Sequence, residues 1–96
     1  MPTSIAKNFR SDLHKIIDLI PEKTRVLDLG CGDGTLLHML IEQKKIRGTG
    51  IEYSQDEILK CVKKGVPVVH GNLNEGLDEF QDNAFDFVIL TRTLQS

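Results

Sequence analysis

Apolar residues recur in two rhythms along this 96-residue chain. Leu13, Ile16, Ile17 and Ile20 fall at i, i+3, i+4 and i+7, the spacing of one helical face. Ser11 is placed to cap that helix and Pro21 to stop it. Residues 25–29 break the rhythm with a near-continuous apolar run, the pattern of a strand buried on both faces of a parallel sheet. The helical period returns at Leu36, Leu37, Leu40 and Ile41, and residues 48–52 read as a second strand. Ser54 and Glu57 form a capping box, each able to satisfy the other's backbone N–H. The helix they open is expected to turn Ile58, Leu59 and Val62 inward and to end at Gly65. Residues 66–70 read as a third strand. Pro67 has no N–H for a ladder, which puts that strand at a sheet edge. Residues 72–83 read as a polar loop, residues 85–90 as a fourth strand, and residues 1–10 as a loose tail.

The order is helix, strand, helix, strand, helix, strand, loop, strand. Right-handed crossovers turn such an alternation into a parallel α/β sheet with flanking helices. Ninety-six residues make at most one small domain, of which roughly two-thirds of the unfolded surface is buried on folding. The expected division is a tail over 1–10 and a single folded portion over 11–96.

One segment departs from both rhythms. The strand Val26-Leu27-Asp28-Leu29 runs into Gly30-Cys31-Gly32-Asp33-Gly34, and a helix pattern starts at once with Thr35. Glycines at alternate positions allow a sharp turn and bring a ligand close to main-chain N–H groups. The helix behind them aims its positive end at the same point. The dinucleotide fingerprint G-x-G-x-x-G needs a third glycine at position 35, where this chain has Thr. The pattern here is D-x-G-x-G-x-G, from Asp28 to Gly34. Asp28 places an acid at the strand end, where it suits a cationic group, and Gly30, Cys31, Gly32 and Gly34 bring backbone N–H groups close to a ligand. Glu52 ends the second strand, where a carboxylate can accept hydrogen bonds from both ribose hydroxyls. Tyr53 follows, either as a platform for an adenine ring or as a half-exposed strand-end aromatic.

This block resembles the first motif of the class I S-adenosylmethionine-dependent methyltransferases. The resemblance implies a Rossmann-like fold of which this chain carries the N-terminal part, with its strands in the order 3-2-1-4 and S-adenosylmethionine as cofactor. In that family an acid commonly stands at the position of Asn72 and accepts from the adenine amino group, while the backbone N–H of the next residue, here Leu73, meets a ring nitrogen. Asn72 keeps a carbonyl acceptor without the charge. The family fold continues with further strands, so the fourth strand is expected to have a bare edge and the chain to be truncated after it.

Other chemistry finds little support. Net charge is −2 and aromatic content 5%, which gives no basic face for nucleic acid. The cations at 44, 45, 47, 60, 63 and 64 fall where helices should end, so dipole complementation is their expected role, with a basic binding patch as the alternative. Cys31 and Cys61 lack metal-ligand spacing, and so do His14, His38 and His70. Cys31 is expected to act as a small residue that fits its turn rather than as a reactive thiol. No G-x-S-x-G elbow is present, and no catalytic base is legible. No metal is expected. The N-terminus lacks a signal peptide and no apolar run spans a bilayer, so the expected compartment is the cytoplasm.

Three more segments sharpen the resemblance. They are Arg47-Gly48-Thr49-Gly50-Ile51-Glu52, Gly71-Asn72-Leu73-Asn74-Glu75-Gly76-Leu77, and residues 85–95, which end in Thr93-Leu94-Gln95. With the glycine block they resemble the MetW family of methionine biosynthesis proteins from about Asp12 onward. The acids usual in that family at 72 and 74 are Asn here. The resemblance implies a cytosolic protein about twice this length and a role beside homoserine O-acyltransferase, as a methyltransferase or as a non-catalytic partner that regulates that enzyme.

Overall fold

The computed structural model describes residues 13–72, 74 and 84–90, together with the backbone of residues 3–5. Its elements are β1 (Thr3–Ile5), α1 (Leu13–Leu19), β2 (Arg25–Leu29), α2 (Thr35–Lys44), β3 (Arg47–Glu52), α3 (Gln55–Lys64), β4 (Val68–His70) and β5 (Phe87–Ile89). The sheet runs β1-β5-β2-β3-β4 with every pair parallel. The four strands expected from sequence therefore stand in the order 3-2-1-4, as β4, β3, β2 and β5.

β2 lies at the centre and divides its side chains between two apolar layers. Val26 joins Ile16, Ile20, Leu37, Leu40, Cys61 and Ile89 on the face that α1, α2 and α3 cover. Leu27 and Leu29 join Ile51 and Val88 on the other. Each of these residues is 6% exposed or less, and burying one such side chain contributes roughly 1.5–3 kcal/mol.

β4 is an edge strand, two residues shorter than the expected 66–70. Pro67 stands just before it and serves the ladder with its carbonyl alone, which accepts from the Gly50 N–H at 2.9 Å. Val66 is not in the strand but is packed in the core.

Three expectations need correction. Residues 3–5 are not a loose tail: they pair with β5 in the register Thr3↔Phe87 to Ile5↔Ile89. Three residues are too few to show a period, and the edge of β5 supplies the hydrogen-bonding partners that make them a strand. That edge is thus covered rather than bare. The inner face of α3 is also rotated from the expected one. Leu59 and Val62 are 59% and 61% exposed, whereas Cys61 is fully buried. α3 packs chiefly against the three-residue β4, so it has only a narrow apolar strip to cover, and that strip is centred on Cys61. Finally, the capping box is one-sided. Ser54 Oγ accepts from the Glu57 N–H at 3.4 Å, but the Ser54 N–H donates to Glu52 and not to Glu57.

Candidate functional site

The turn between β2 and α2 is built from backbone that only glycine adopts without strain. Gly30, Gly32 and Gly34 have φ of 76°, 61° and 83°, the left-handed region where a Cβ costs roughly 1–2 kcal/mol. The first bonds of the turn tie it to the next strand: the N–H groups of Gly30 and Cys31 both donate to the Ile51 carbonyl, at 2.8 and 3.1 Å.

Glu52 closes the arrangement. Its Oε1 accepts from the Gly32 N–H at 2.8 Å, and its Oε2 accepts from the N–H groups of Ser54 at 2.9 Å and Tyr53 at 3.1 Å. One carboxylate therefore joins the glycine turn to the mouth of α3. The Gly71 N–H donates to the Glu52 carbonyl at 3.0 Å, which holds the segment carrying Asn72 against the same strand end. Asn72 is exposed there, and Leu73 lies outside the described residues. Asp28 is 2% exposed at the C-terminal part of β2, in register with Gly50.

Two charged residues that the pattern reading passed over, Asp33 and Lys64, complete the electrostatics. Asp33 Oδ1 accepts from the Thr35 N–H at 2.9 Å and from the Thr35 hydroxyl at 2.7 Å, so the positive end of α2 already holds an anion. The Asp33-x-Thr35 spacing of an Asx turn was the signal for it. Lys64, in the last turn of α3, donates to the Asp33 carbonyl at 3.0 Å. Its charge reaches the turn from 31 residues away, which no local pattern announces. Asp28, Asp33 and Glu52 thus surround the turn with acids, which Lys64 offsets in part, its Nζ 4.0 Å from Asp33 Oδ2. A pyrophosphate would meet repulsion at that helix end, whereas a group bearing an ammonium and a sulfonium would not.

Tyr53 is 71% exposed, its ring 5.6 Å from that of His70. His70 Nε2 lies 3.0 Å from the Tyr53 carbonyl. The pair stands beside the Glu52 carboxylate and leaves a ring face for a planar ligand. A mostly apolar hollow of about 340 Å³, lined by Gln55, Ile58, Leu59 and His70, adjoins it; the outward turn of Leu59 makes part of that wall.

Cys31 points away from the turn's concave side and into the core, 4% exposed. Its Sγ lies 3.8 Å from that of Cys61, and the Cys61 thiol donates to the Gly32 carbonyl at 3.2 Å. Only the backbone of Cys31 is therefore offered to a ligand. Burial pushes both thiols above the usual range. Their native pKa values exceed the unfolded value of about 8.5, so their contribution to stability is complete below that pH and is lost as pH rises above it. Urea unfolding at pH 7.5 and pH 9.5 is expected to show stability falling by about 1.5–2.5 kcal/mol, from a limiting slope of about 1.4 kcal/mol per pH unit for each thiol. In a Cys31→Ala, Cys61→Ala variant that fall is expected to vanish; an equal fall in the variant would refute the assignment. Among the described residues, no group of three or more His, Cys, Asp or Glu is placed to hold a metal ion.

A parallel sheet in this order, with a glycine turn after its central strand and an acid ending the next, defines the Rossmann-like fold of the S-adenosylmethionine-dependent methyltransferases. Solved structures agree. A SAM-dependent methyltransferase from Archaeoglobus fulgidus is 31% identical, with a TM-score of 0.69 over 81% of this chain and 34% of its own. A SAM-dependent methyltransferase from Thiobacillus denitrificans, solved with S-adenosyl-L-homocysteine, is 27% identical, with a TM-score of 0.59 over 67% of this chain and 30% of its own. Residues 10–96 match the family model of the methionine biosynthesis protein MetW. The bifunctional methionine biosynthesis protein MetXA/MetW of Rhodopirellula baltica is 36% identical over 104 residues, covering all of this chain and 16% of that protein. This chain belongs to the MetW family, and it spans about a sixth of that curated relative and about a third of those two structures. Among the described residues, no helix is long and apolar enough to cross a membrane.

Proposed function

We propose that the glycine turn binds S-adenosylmethionine, held by Asp28, Gly30, Cys31, Gly32, Gly34, Glu52, Tyr53, Asn72 and Leu73, and that the full-length protein works in methionine biosynthesis as a methyltransferase-like component. The observation that carries this reading is the anion already seated on α2. With Asp33 capping that helix end, the turn favours a zwitterionic, sulfonium-bearing ligand over a diphosphate. In this reading the Gly30–Gly34 backbone lies along the methionine part, Asp28 faces the ammonium, Glu52 takes the ribose and Tyr53 the adenine. The cofactor supplies an activated methyl group. Placement of the acceptor accounts for most of the rate of such transfers, and the acceptor side falls to residues beyond β5.

A second reading makes the protein a non-catalytic, S-adenosylmethionine-binding partner of homoserine O-acyltransferase. It is favoured by the relative in which MetW is fused to MetXA, since fusion turns association into an intramolecular event. Calorimetric titration of the full-length protein with S-adenosylmethionine, S-adenosylhomocysteine and NAD, alone and with the acyltransferase, tests both. Both adenosyl ligands are expected to bind and NAD is not. NAD binding without a response to either adenosyl ligand would overturn the cofactor assignment. An adenosyl affinity that changes when the acyltransferase is added supports the partner reading; an unchanged affinity counts against it.

A further inference from the structure

The end of the sheet opposite the glycine turn gathers like charges that the fold must hold together. A cleft of about 460 Å³ there is lined by Lys23, Arg25, Lys45, Arg47 and Asp86, four cations and one acid in a chain whose net charge is −2. Arg25 and Arg47 face each other in register on neighbouring strands, an arrangement that repels. Asp86 offsets only part of it. Its two oxygens engage the Arg25 guanidinium and backbone N–H, at 2.9 Å in each case, and Arg25 holds that carboxyl below the usual carboxylate range. No acid among the described residues pairs with Lys23, Lys45 or Arg47.

The two lysines carry a second conflict. Lys23 and Lys45 have φ of 62° and 54° and are the non-glycine residues with positive φ among those described. Glycine or asparagine is the ordinary occupant of such positions. Lys45 is the C-cap of α2, and the Lys23 N–H donates to the Lys44 carbonyl at 2.9 Å, so the two strained turns are joined and present their side chains to one cleft. Dipole complementation accounts for Lys44 and Lys45 at the end of α2. It does not account for Lys23, which precedes β2, or for Arg47, which opens β3. Local choices that oppose the fold at several neighbouring positions mark a functional region.

A second cleft of about 450 Å³ shares Arg25 and Arg47 with the first, and its other walls include Ile41, Ile46, Pro67 and Phe85. The cationic mouth thus opens onto an apolar floor. Both volumes are in the range of small-ligand sites. Guanidinium forks match phosphate oxygens in pairs, and ammonium groups add point charge.

We infer that this end of the sheet is a second ligand site, distinct from the glycine turn, that takes a small phosphate-bearing molecule with an apolar body. The phosphate sits among Lys23, Lys45 and Arg47, and the body lies toward Phe85 and Ile46.

The test uses the full-length protein with 1-naphthyl phosphate and inorganic phosphate as probes, by calorimetry at low ionic strength. Naphthyl phosphate is expected to bind saturably and at least tenfold more tightly than inorganic phosphate. A Lys23→Gly, Lys45→Gly double variant is expected to weaken it at least tenfold without lowering the melting temperature, because glycine relieves the positive φ as it removes the charge. Saturation with S-adenosylhomocysteine is expected to leave naphthyl phosphate binding unchanged. The site is refuted if neither probe binds saturably, if the double variant binds naphthyl phosphate as well as the parent, or if the adenosyl ligand displaces the probe.

Discussion

Glu52→Gln is expected to lower affinity for S-adenosylhomocysteine by about a hundredfold and to destabilise the protein as well. The substitution looks conservative but is not. Both oxygens of Glu52 face backbone donors: Gly32 on Oε1, and Ser54 and Tyr53 on Oε2. Whichever way a glutamine amide is turned, its NH₂ meets an N–H. Hydrogen bonds to a charged group are worth about 1.5–3 kcal/mol, and a buried donor left unmatched costs about 1–3 kcal/mol. Glutamine keeps one acceptor oxygen, so one of the two bonds that a ribose diol makes with a carboxylate is lost and the other loses its charge assistance, which corresponds to about a hundredfold at about 1.4 kcal/mol for each factor of ten. The unmatched donors are expected to lower the melting temperature by about 5–15 °C, since 1 kcal/mol moves a domain of this size by about 4–8 °C. Calorimetry and thermal unfolding on the same preparation separate the two effects. Unchanged affinity in a folded variant would remove Glu52 from the site.

Gly50→Ala is expected to destabilise the protein strongly. A Cβ at Gly50 would lie 2.4 Å from Cys31 Sγ, 2.8 Å from Cys31 Cβ and 3.2 Å from Leu37 Cδ1. The Cys31 Cβ moves only with its backbone, so the glycine turn itself has to shift. Overpacking of this kind costs about 1–3 kcal/mol, and at Gly50 the upper end is expected because the backbone-fixed Cys31 Cβ is met at 2.8 Å together with its Sγ at 2.4 Å. The displaced turn also carries Gly30 and Gly32, so adenosyl-ligand binding is expected to weaken along with stability. Adding Cys31→Gly removes both opposing atoms and is expected to restore part of each loss. That non-additivity, read in a double-mutant cycle by thermal unfolding, distinguishes a local clash from general disruption. A neutral Gly50→Ala would show that the turn does not rest on β3 in this way.

Gly50 also shows how far pattern reading reaches. Its place inside a strand was visible, and a glycine there points to a close approach. What approaches was not visible, because Cys31 and Leu37 come from a turn and a helix that only the folded sheet brings together. Leu59 and Val62 show the same limit from the other side. Their spacing marks an apolar helical face, yet the width of that face actually buried depends on how much sheet lies beneath it, and β4 offers three residues. Cys61 is fully buried and anchors the Gly32 carbonyl, a contact between a helix and a turn that no local pattern shows.

The strand order was implied by the family resemblance. The alternation of strands and helices, the edge position of β4 and the glycine turn with Asp28 before it and Glu52 beyond it were legible in the chain alone. Each depends on a residue whose constraint is local: the missing N–H of proline, the missing Cβ of glycine, the period of a strand or helix. The pairing of β1 with β5, the reach of Lys64 to the Asp33 carbonyl, the three donors converging on Glu52 and the meeting of Lys23, Lys45 and Arg47 around one cleft were decided only by tertiary structure. These are contacts between segments distant in sequence, and their existence depends on distances that the crossovers of a parallel sheet set and that no local pattern encodes.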